Sequence, residues 1–206
     1  MQPPRLRFLA LAALLTVVTQ AAGPAAATTP AAPAKTIVMI GDSITHRGKW
    51  DELLGRPKVL SWGIPGYTTG QLAWTFKDII REHPTVKIVF LNGGINDLSL
   101  GVPADRVYEN QVKAIAWWRE HQITPVIEST ILQVDAPDIN TQITALNTRL
   151  RTYCEANQVR FIDLNAVLAS GDHLRAELSI DGTHLKPEAY PLWARLISDC
   201  LGQLSQ

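Results

Sequence analysis

The chain has 206 residues, 46% of them hydrophobic and 18% charged, which fits one folded domain rather than a disordered chain. Nineteen Lys and Arg balance nineteen Asp and Glu, so no overall basic excess exists to hold nucleic acid or an anionic membrane. Two cysteines are too few for a disulfide scaffold or a four-cysteine zinc site. In chain order, residues 1–27 come first. Arg5 and Arg7 precede an apolar run from Phe8 to Val18, and small residues follow with cleavage options near Ala21 and Ala27. This is the pattern of a secretory signal peptide, and the run is far short of the ~20 residues needed to span a bilayer. Residues 28–34 are rich in Ala, Pro and Thr and read as a disordered leader. Once residues 1–27 are removed, the remainder is slightly acidic. Export would also permit a Cys154–Cys200 disulfide, with two separate buried thiols as the alternative.

From residue 35 to 206, short β-branched runs alternate with longer amphipathic stretches. The runs Thr36–Ile40, Lys58–Ser61, Val86–Leu91, Pro125–Glu128 and Val159–Ile162 predict strands buried on both faces. Helices are predicted over Thr69–Glu82, Pro103–His121, Ile139–Ala156 and Pro187–Leu201. Alternation of this kind implies parallel strands with right-handed crossovers, hence an α/β fold: a three-layer α/β/α sandwich of about five strands. In such sheets chemistry collects beyond the carboxyl ends of the strands.

The unusual polar residues stand there. The first strand runs into Gly41-Asp42-Ser43-Ile44-Thr45, the second into Gly63-Ile64-Pro65-Gly66-Tyr67-Thr68-Thr69, and the third into Gly93-Gly94-Ile95-Asn96-Asp97. Asp181-Gly182-Thr183-His184 lies just before the last helix. A serine hydroxyl needs a base to become a nucleophile. His184 is the best candidate, because Asp181 three residues earlier can take its Nδ1–H and leave Nε2 facing Ser43. The Ser43 and Gly66 backbone N–H groups and the Asn96 amide can hold a developing oxyanion. Asp42 and Asp97 are expected to brace their loops. His46 lacks an orienting carboxylate, and His83, His121 and His173 read as surface or loop residues. Trp50 and Trp62 adjoin the motifs, where core packing is favoured over sugar binding, and at least one of Trp117 and Trp118 should enter the core. No metal-binding or dinucleotide motif appears, so neither metal nor cofactor is predicted.

These blocks resemble, in order, those of the SGNH hydrolases, also called the GDSL esterase/lipase superfamily. The likeness spans about Lys35 to Leu201. Gly-Asp-Ser-Ile-Thr and the Gly-x-x-Gly-x-Thr-Thr second block look most like the branch holding platelet-activating-factor acetylhydrolase-like and carbohydrate esterases. The resemblance implies a flavodoxin-like sheet of order 2-1-3-4-5 and ester hydrolysis (EC 3.1.1). It assigns Ser43 as nucleophile, His184 and Asp181 as its partners, and Gly66 and Asn96 as oxyanion donors. Two positions depart from common patterns: Tyr67 follows Gly66 where many relatives have Asp, and Ser61-Trp62 precedes Gly63 where Asn is usual. The expected protein is a secreted or periplasmic serine esterase acting on short acyl esters, acetyl above all, of a small molecule or saccharide. It should have no nucleic-acid partner and no membrane-spanning segment after signal cleavage. An acyltransferase, a lysophospholipase or a thioesterase would use the same acyl-enzyme, and a non-catalytic binding module is disfavoured because all five key residues are present.

Overall fold

A computed structural model describes residues 36–204; the predicted signal peptide and leader lie outside them. Strand β1 (Thr36–Gly41) is buried along its whole length. It is followed by β2 (Val59–Gly63), β3 (Val86–Leu91), β4 (Thr124–Glu128) and β5 (Arg160–Ile162). All pair in parallel, in the order β2-β1-β3-β4-β5. Each lies within a residue or two of its predicted run, because buried parallel strands write themselves as continuous β-branched sequence.

The helices differ more from expectation. The stretch predicted as one helix over Thr69–Glu82 is two, α3 (Thr69–Trp74) and α4 (Phe76–Glu82). The Thr75 hydroxyl between them donates back to the Leu72 carbonyl at 2.8 Å, a local bond that competes with the helical ladder. Helix α6 (Ala104–Glu120) agrees with its prediction, and α7 (Pro137–Ala156) starts two residues early, with its proline in the first turn. Residues Pro187–Ala189 form a 3₁₀ turn before α9 (Tyr190–Leu204). Four short helices had no periodic signal: α1 (Ser43–His46), α2 (Trp50–Leu54), α5 (Ile95–Ser99) and α8 (Asn165–Leu168). A small hairpin, β6 (Ala169–Ser170) and β7 (His173–Leu174), follows α8.

Helices α3, α6 and α7 pack side by side on one face of the sheet, and α2 packs against α9 on the other. This is the expected three-layer sandwich. Trp118 is fully buried and Trp117 lies partly buried beside it. Trp50 also belongs to the core: its indole N–H donates to the Thr45 carbonyl at 2.8 Å, and its ring meets Trp193 edge-on at 4.8 Å. Cys154 and Cys200 are separate buried thiols, and burial pushes them up to about 12 and about 11. Among the described residues no helix is long and apolar enough to cross a membrane.

Candidate active site

The sheet brings three of the four polar blocks to one edge, because each directly follows a strand. Ser43 opens α1 immediately beyond β1. Asp42 caps that helix, its carboxylate accepting the Ile44 N–H at 2.9 Å. Asp42 is completely buried, and its second oxygen has no partner among the described residues. Burial pushes this carboxyl up to about 6, with the Ile44 N–H opposing the shift. Ser43 is therefore fixed from below by a group that does not itself face the reactants.

The fourth block comes from the loop before α9. Ser43 Oγ and His184 Nε2 are 3.0 Å apart, and His184 Nδ1 is 2.7 Å from Asp181 Oδ2. The other Asp181 oxygen accepts the backbone N–H groups of His184 at 2.8 Å and Thr183 at 3.1 Å. These bonds, led by the His184 N–H and ring contacts, hold the Asp181 carboxyl down at about 2. Asp181 is thus an anion across the working pH range, positioned to fix the imidazole and to stabilise an imidazolium. The ring's placement rests on the loop backbone: Ile180 N–H donates to the His184 carbonyl at 2.8 Å, and Val134 N–H to the Gly182 carbonyl at 2.9 Å.

Gly66 lies in the turn after β2, and Asn96 in the first turn of α5. Gly66 has φ +80°, and a Cβ there would meet nothing within 4 Å. The backbone conformation, rather than space, favours glycine at this turn. Among the described residues its N–H has no hydrogen-bond partner. Gly63 serves a different purpose, since a Cβ on it would collide with the backbone of His46, so glycine there lets β2 pass against α1. Asn96 is half-buried and donates one amide hydrogen to the Tyr67 carbonyl at 3.0 Å. An amide carries two donors, so this bond uses only one of them. The bond from Asn96 uses the backbone of Tyr67, so it does not depend on which side chain stands at this position.

Asp97 performs the bracing expected of it. One oxygen accepts the Thr69 N–H at 2.8 Å and the other the Thr69 hydroxyl at 2.7 Å, tying the third block to the start of α3. Thr68 and Gln71 add a capping box at the same helix end. His46 is engaged elsewhere, with Nδ1 3.0 Å from the Gly63 carbonyl. His121 stacks on Trp117 at 3.9 Å, His83 meets the edge of Trp62, and His173 pairs with Asp172. Among the described residues no cluster of His, Cys, Asp and Glu is arranged to hold a metal ion.

Two features of the neighbourhood were missed by sequence reasoning. Glu128, at the end of β4, is completely buried, with the Trp193 indole donating to one oxygen at 2.7 Å. It reads in sequence as an ordinary polar strand end. Thr130 ties its hydroxyl to the Gly93 carbonyl at 2.7 Å, beside Gly94 at φ +116°. A Cβ on Gly94 would press on that same hydroxyl at 2.8 Å.

The model of the GDSL-like Lipase/Acylhydrolase family matches residues 39–192, which contain all four blocks. N-acylneuraminate cytidylyltransferase of Streptococcus agalactiae is 25% identical over 147 residues, covering 68% of this chain. The match takes in only 36% of that protein's own length. Among solved structures, a GDSL-like lipase from Bacteroides thetaiotaomicron superposes with a TM-score of 0.74 at 21% identity, covering 82% of this chain and 89% of that one. A carbohydrate acetylesterase family member from Sinorhizobium meliloti gives 0.67 at 17% identity, covering 82% and 98%. The two structural likenesses are likenesses of fold. With the family model spanning most of the folded domain, the chain belongs to the GDSL-like lipase/acylhydrolase family of ester hydrolases.

Proposed function

We propose that this protein is an exported serine esterase that removes short acyl groups, acetyl above all, from a saccharide or other alcohol. The observation that carries the reading is the chain of contacts from Ser43 Oγ to His184 Nε2 at 3.0 Å and from His184 Nδ1 to Asp181 at 2.7 Å. Ser43 attacks the ester carbonyl while His184 takes its proton. The new Oγ–carbon bond pushes charge onto the carbonyl oxygen, which the N–H groups of Ser43 and Gly66 and the Asn96 amide receive. The carbon–alkoxy bond then breaks, and the alcohol departs with the proton from His184. Water repeats the sequence to release the acid and free Ser43.

The short acyl preference is supported by the loop after the third block. Only residues 100–103 separate α5 from α6, too few to fold over the site as a lid. The likeness to a carbohydrate acetylesterase family member favours a saccharide alcohol. Export is read from residues 1–27. Ser43→Ala should abolish both turnover and fluorophosphonate labelling, and a mutant that still labels would overturn the nucleophile assignment. Asn96→Ala should lower kcat by about 10²–10³; a loss confined to KM would remove it from the oxyanion site. On p-nitrophenyl esters, activity should fall as the acyl chain lengthens, and a peak at dodecanoyl would refute the acyl assignment.

A further inference from the structure

A cavity of about 480 Å³ is lined by residues bonded or adjacent in the chain to Ser43 and His184, though not by that pair itself. One wall is built from the segment that leaves the nucleophile: Arg47, whose N–H reaches the Ser43 carbonyl, and Leu53 of α2. The other wall is built from the base loop: Ile180, whose N–H bonds the His184 carbonyl, and Leu185, next to His184 in the chain. Tyr190 closes the floor, its hydroxyl donating to the Ile44 carbonyl at 2.8 Å. Its ring is backed by Trp50 and Trp193. The surface so formed is mainly apolar, yet Ile180 keeps 55% of its area exposed. An exposed isoleucine at the lip of an apolar cavity is what a ligand would cover.

The side of the reaction that this cavity serves follows from the two faces of the sheet. Two of the three oxyanion donors, Gly66 in the loop that leads into α3 and Asn96 in α5, stand on the face that carries α3, α6 and α7. His184 leads into α9, and the cavity lies between α2 and the start of α9, on the other. The carbonyl oxygen must point towards the donors. The departing oxygen must lie within reach of His184, which protonates it. A group attached to that oxygen is therefore directed to the His184 flank. Charge narrows the ligand further. Lys49 is paired with Glu52 at 3.5 Å, whereas Arg47 has no ion-pair partner among the described residues, so the lining carries a positive excess.

We infer that the Arg47–Leu53–Ile180–Leu185–Tyr190 cavity binds an apolar arm of the ester's alcohol portion, and that any charge on this arm is negative rather than positive. The inference rests on the esterase reading above and deepens it: a small acyl group is joined to an alcohol with an apolar arm, such as an alkyl or aryl aglycone. No additional chemical step is involved, since the alcohol leaves with the proton that His184 already carries.

The test is a pair of series on the purified enzyme. From ethyl to hexyl acetate the leaving groups are nearly equally basic, and kcat/KM should rise about two- to fourfold per methylene. From ethyl acetate to ethyl hexanoate it should not rise. A flat alcohol series, or an equal rise in the acyl series, overturns the assignment. In Leu53→Gln, and independently in Ile180→Gln, the hexyl-to-ethyl ratio should fall towards one, whatever the absolute rate; an unchanged ratio in both overturns the location. At low salt, with each kcat/KM divided by that ester's alkaline hydrolysis rate constant, 3,3-dimethylbutyl acetate should exceed acetylcholine, its cationic isostere, several-fold, and the reverse order overturns the charge assignment. If wild-type enzyme neither hydrolyses any of these acetates nor labels with fluorophosphonate, the esterase reading itself fails, a result distinct from a flat series.

Discussion

Glu128 offers a stability measurement whose sign and size can be worked from its surroundings. Its side chain is completely buried, one oxygen receives the Trp193 indole N–H, and the other has no partner among the described residues. Burial without a cation pushes this carboxyl from 4.5 up to about 8, against the smaller opposing effect of the indole. Between those two values the folded chain holds a proton that the unfolded chain has lost. Stability therefore falls as pH rises, by about 1.4 kcal/mol per unit where the difference is a full proton. The contribution is fully retained below pH 4.5 and is lost by the time pH passes 8. Between pH 5 and 8 the loss is on the order of 3 kcal/mol. Glu128→Gln keeps an acceptor for Trp193 and cannot ionise. Its amide buries an extra unpaired hydrogen, which adds a cost that does not depend on pH. Asp42, raised to about 6, also tilts the profile, but equally in both proteins. The quantity to measure is thus the difference in unfolding free energy, mutant minus wild type, from urea titrations at half-unit steps of pH. It should rise by roughly 3 kcal/mol from pH 5 to 8 in favour of the mutant. A difference that stays level across that range would show that Glu128 finds a cation or water when ionised, and the argument from burial would fall.

Other consequences are simpler to state. Asp181→Asn should lower kcat by on the order of 10³–10⁴ with little change in KM, because an amide neither fixes the imidazole tautomer nor stabilises its charge; steady-state kinetics on p-nitrophenyl acetate decides this. Asp97→Asn replaces one of two acceptors by a donor facing Thr69. It should cost about 1–3 kcal/mol and reduce kcat through the displaced Gly66 loop, so denaturation and kinetics should both report it. Gly63→Ala drives a methyl group into the His46 backbone and should destabilise by about 1–3 kcal/mol, whereas Gly70→Ala, whose nearest neighbour would lie 3.5 Å away, should leave the melting temperature nearly unaltered.

The parts of this molecule that could be read from sequence share a physical cause. Buried parallel strands need uninterrupted apolar runs, so β1 and β3 were visible at once. The residues that follow β1, β2 and β3 stand at the carboxyl edge by topology alone, which makes Ser43, Gly66 and Asn96 candidates from sequence. His184 was found differently, through its spacing from Asp181. Short-range chemistry escaped. Helix α2 is only Trp50–Leu54, too short for a period. The break at Thr75 depends on one hydroxyl choosing the Leu72 carbonyl. The environment of Glu128 depends on Trp193, 65 residues away. The alcohol cavity is equally hidden, since its two walls are separated by more than half the chain and its lining residues belong to none of the four blocks.

The two halves of the site are built with different rigidity, and this divides the expected effects of mutation. The half proposed to hold the oxyanion stands on buried polar contacts: Asp97 holds Thr69, Thr130 holds the Gly93 carbonyl, and Asn92 donates to the Ser129 carbonyl at 3.0 Å. Such networks stabilise the transition state only when every member stays in place, so damage there should appear in kcat. The base half is an exposed loop, with the Asp181 side chain 49% accessible. It is held by backbone bonds and by Ser179, whose hydroxyl accepts the Gly182 N–H at 2.8 Å. That loop also forms the wall of the alcohol cavity through Ile180 and Leu185. An alcohol group seated against Ile180 therefore bears on the same backbone that carries His184. Binding energy from the alcohol can then reach the general acid, and a good alcohol should raise kcat as well as lower KM whenever alcohol departure limits the rate.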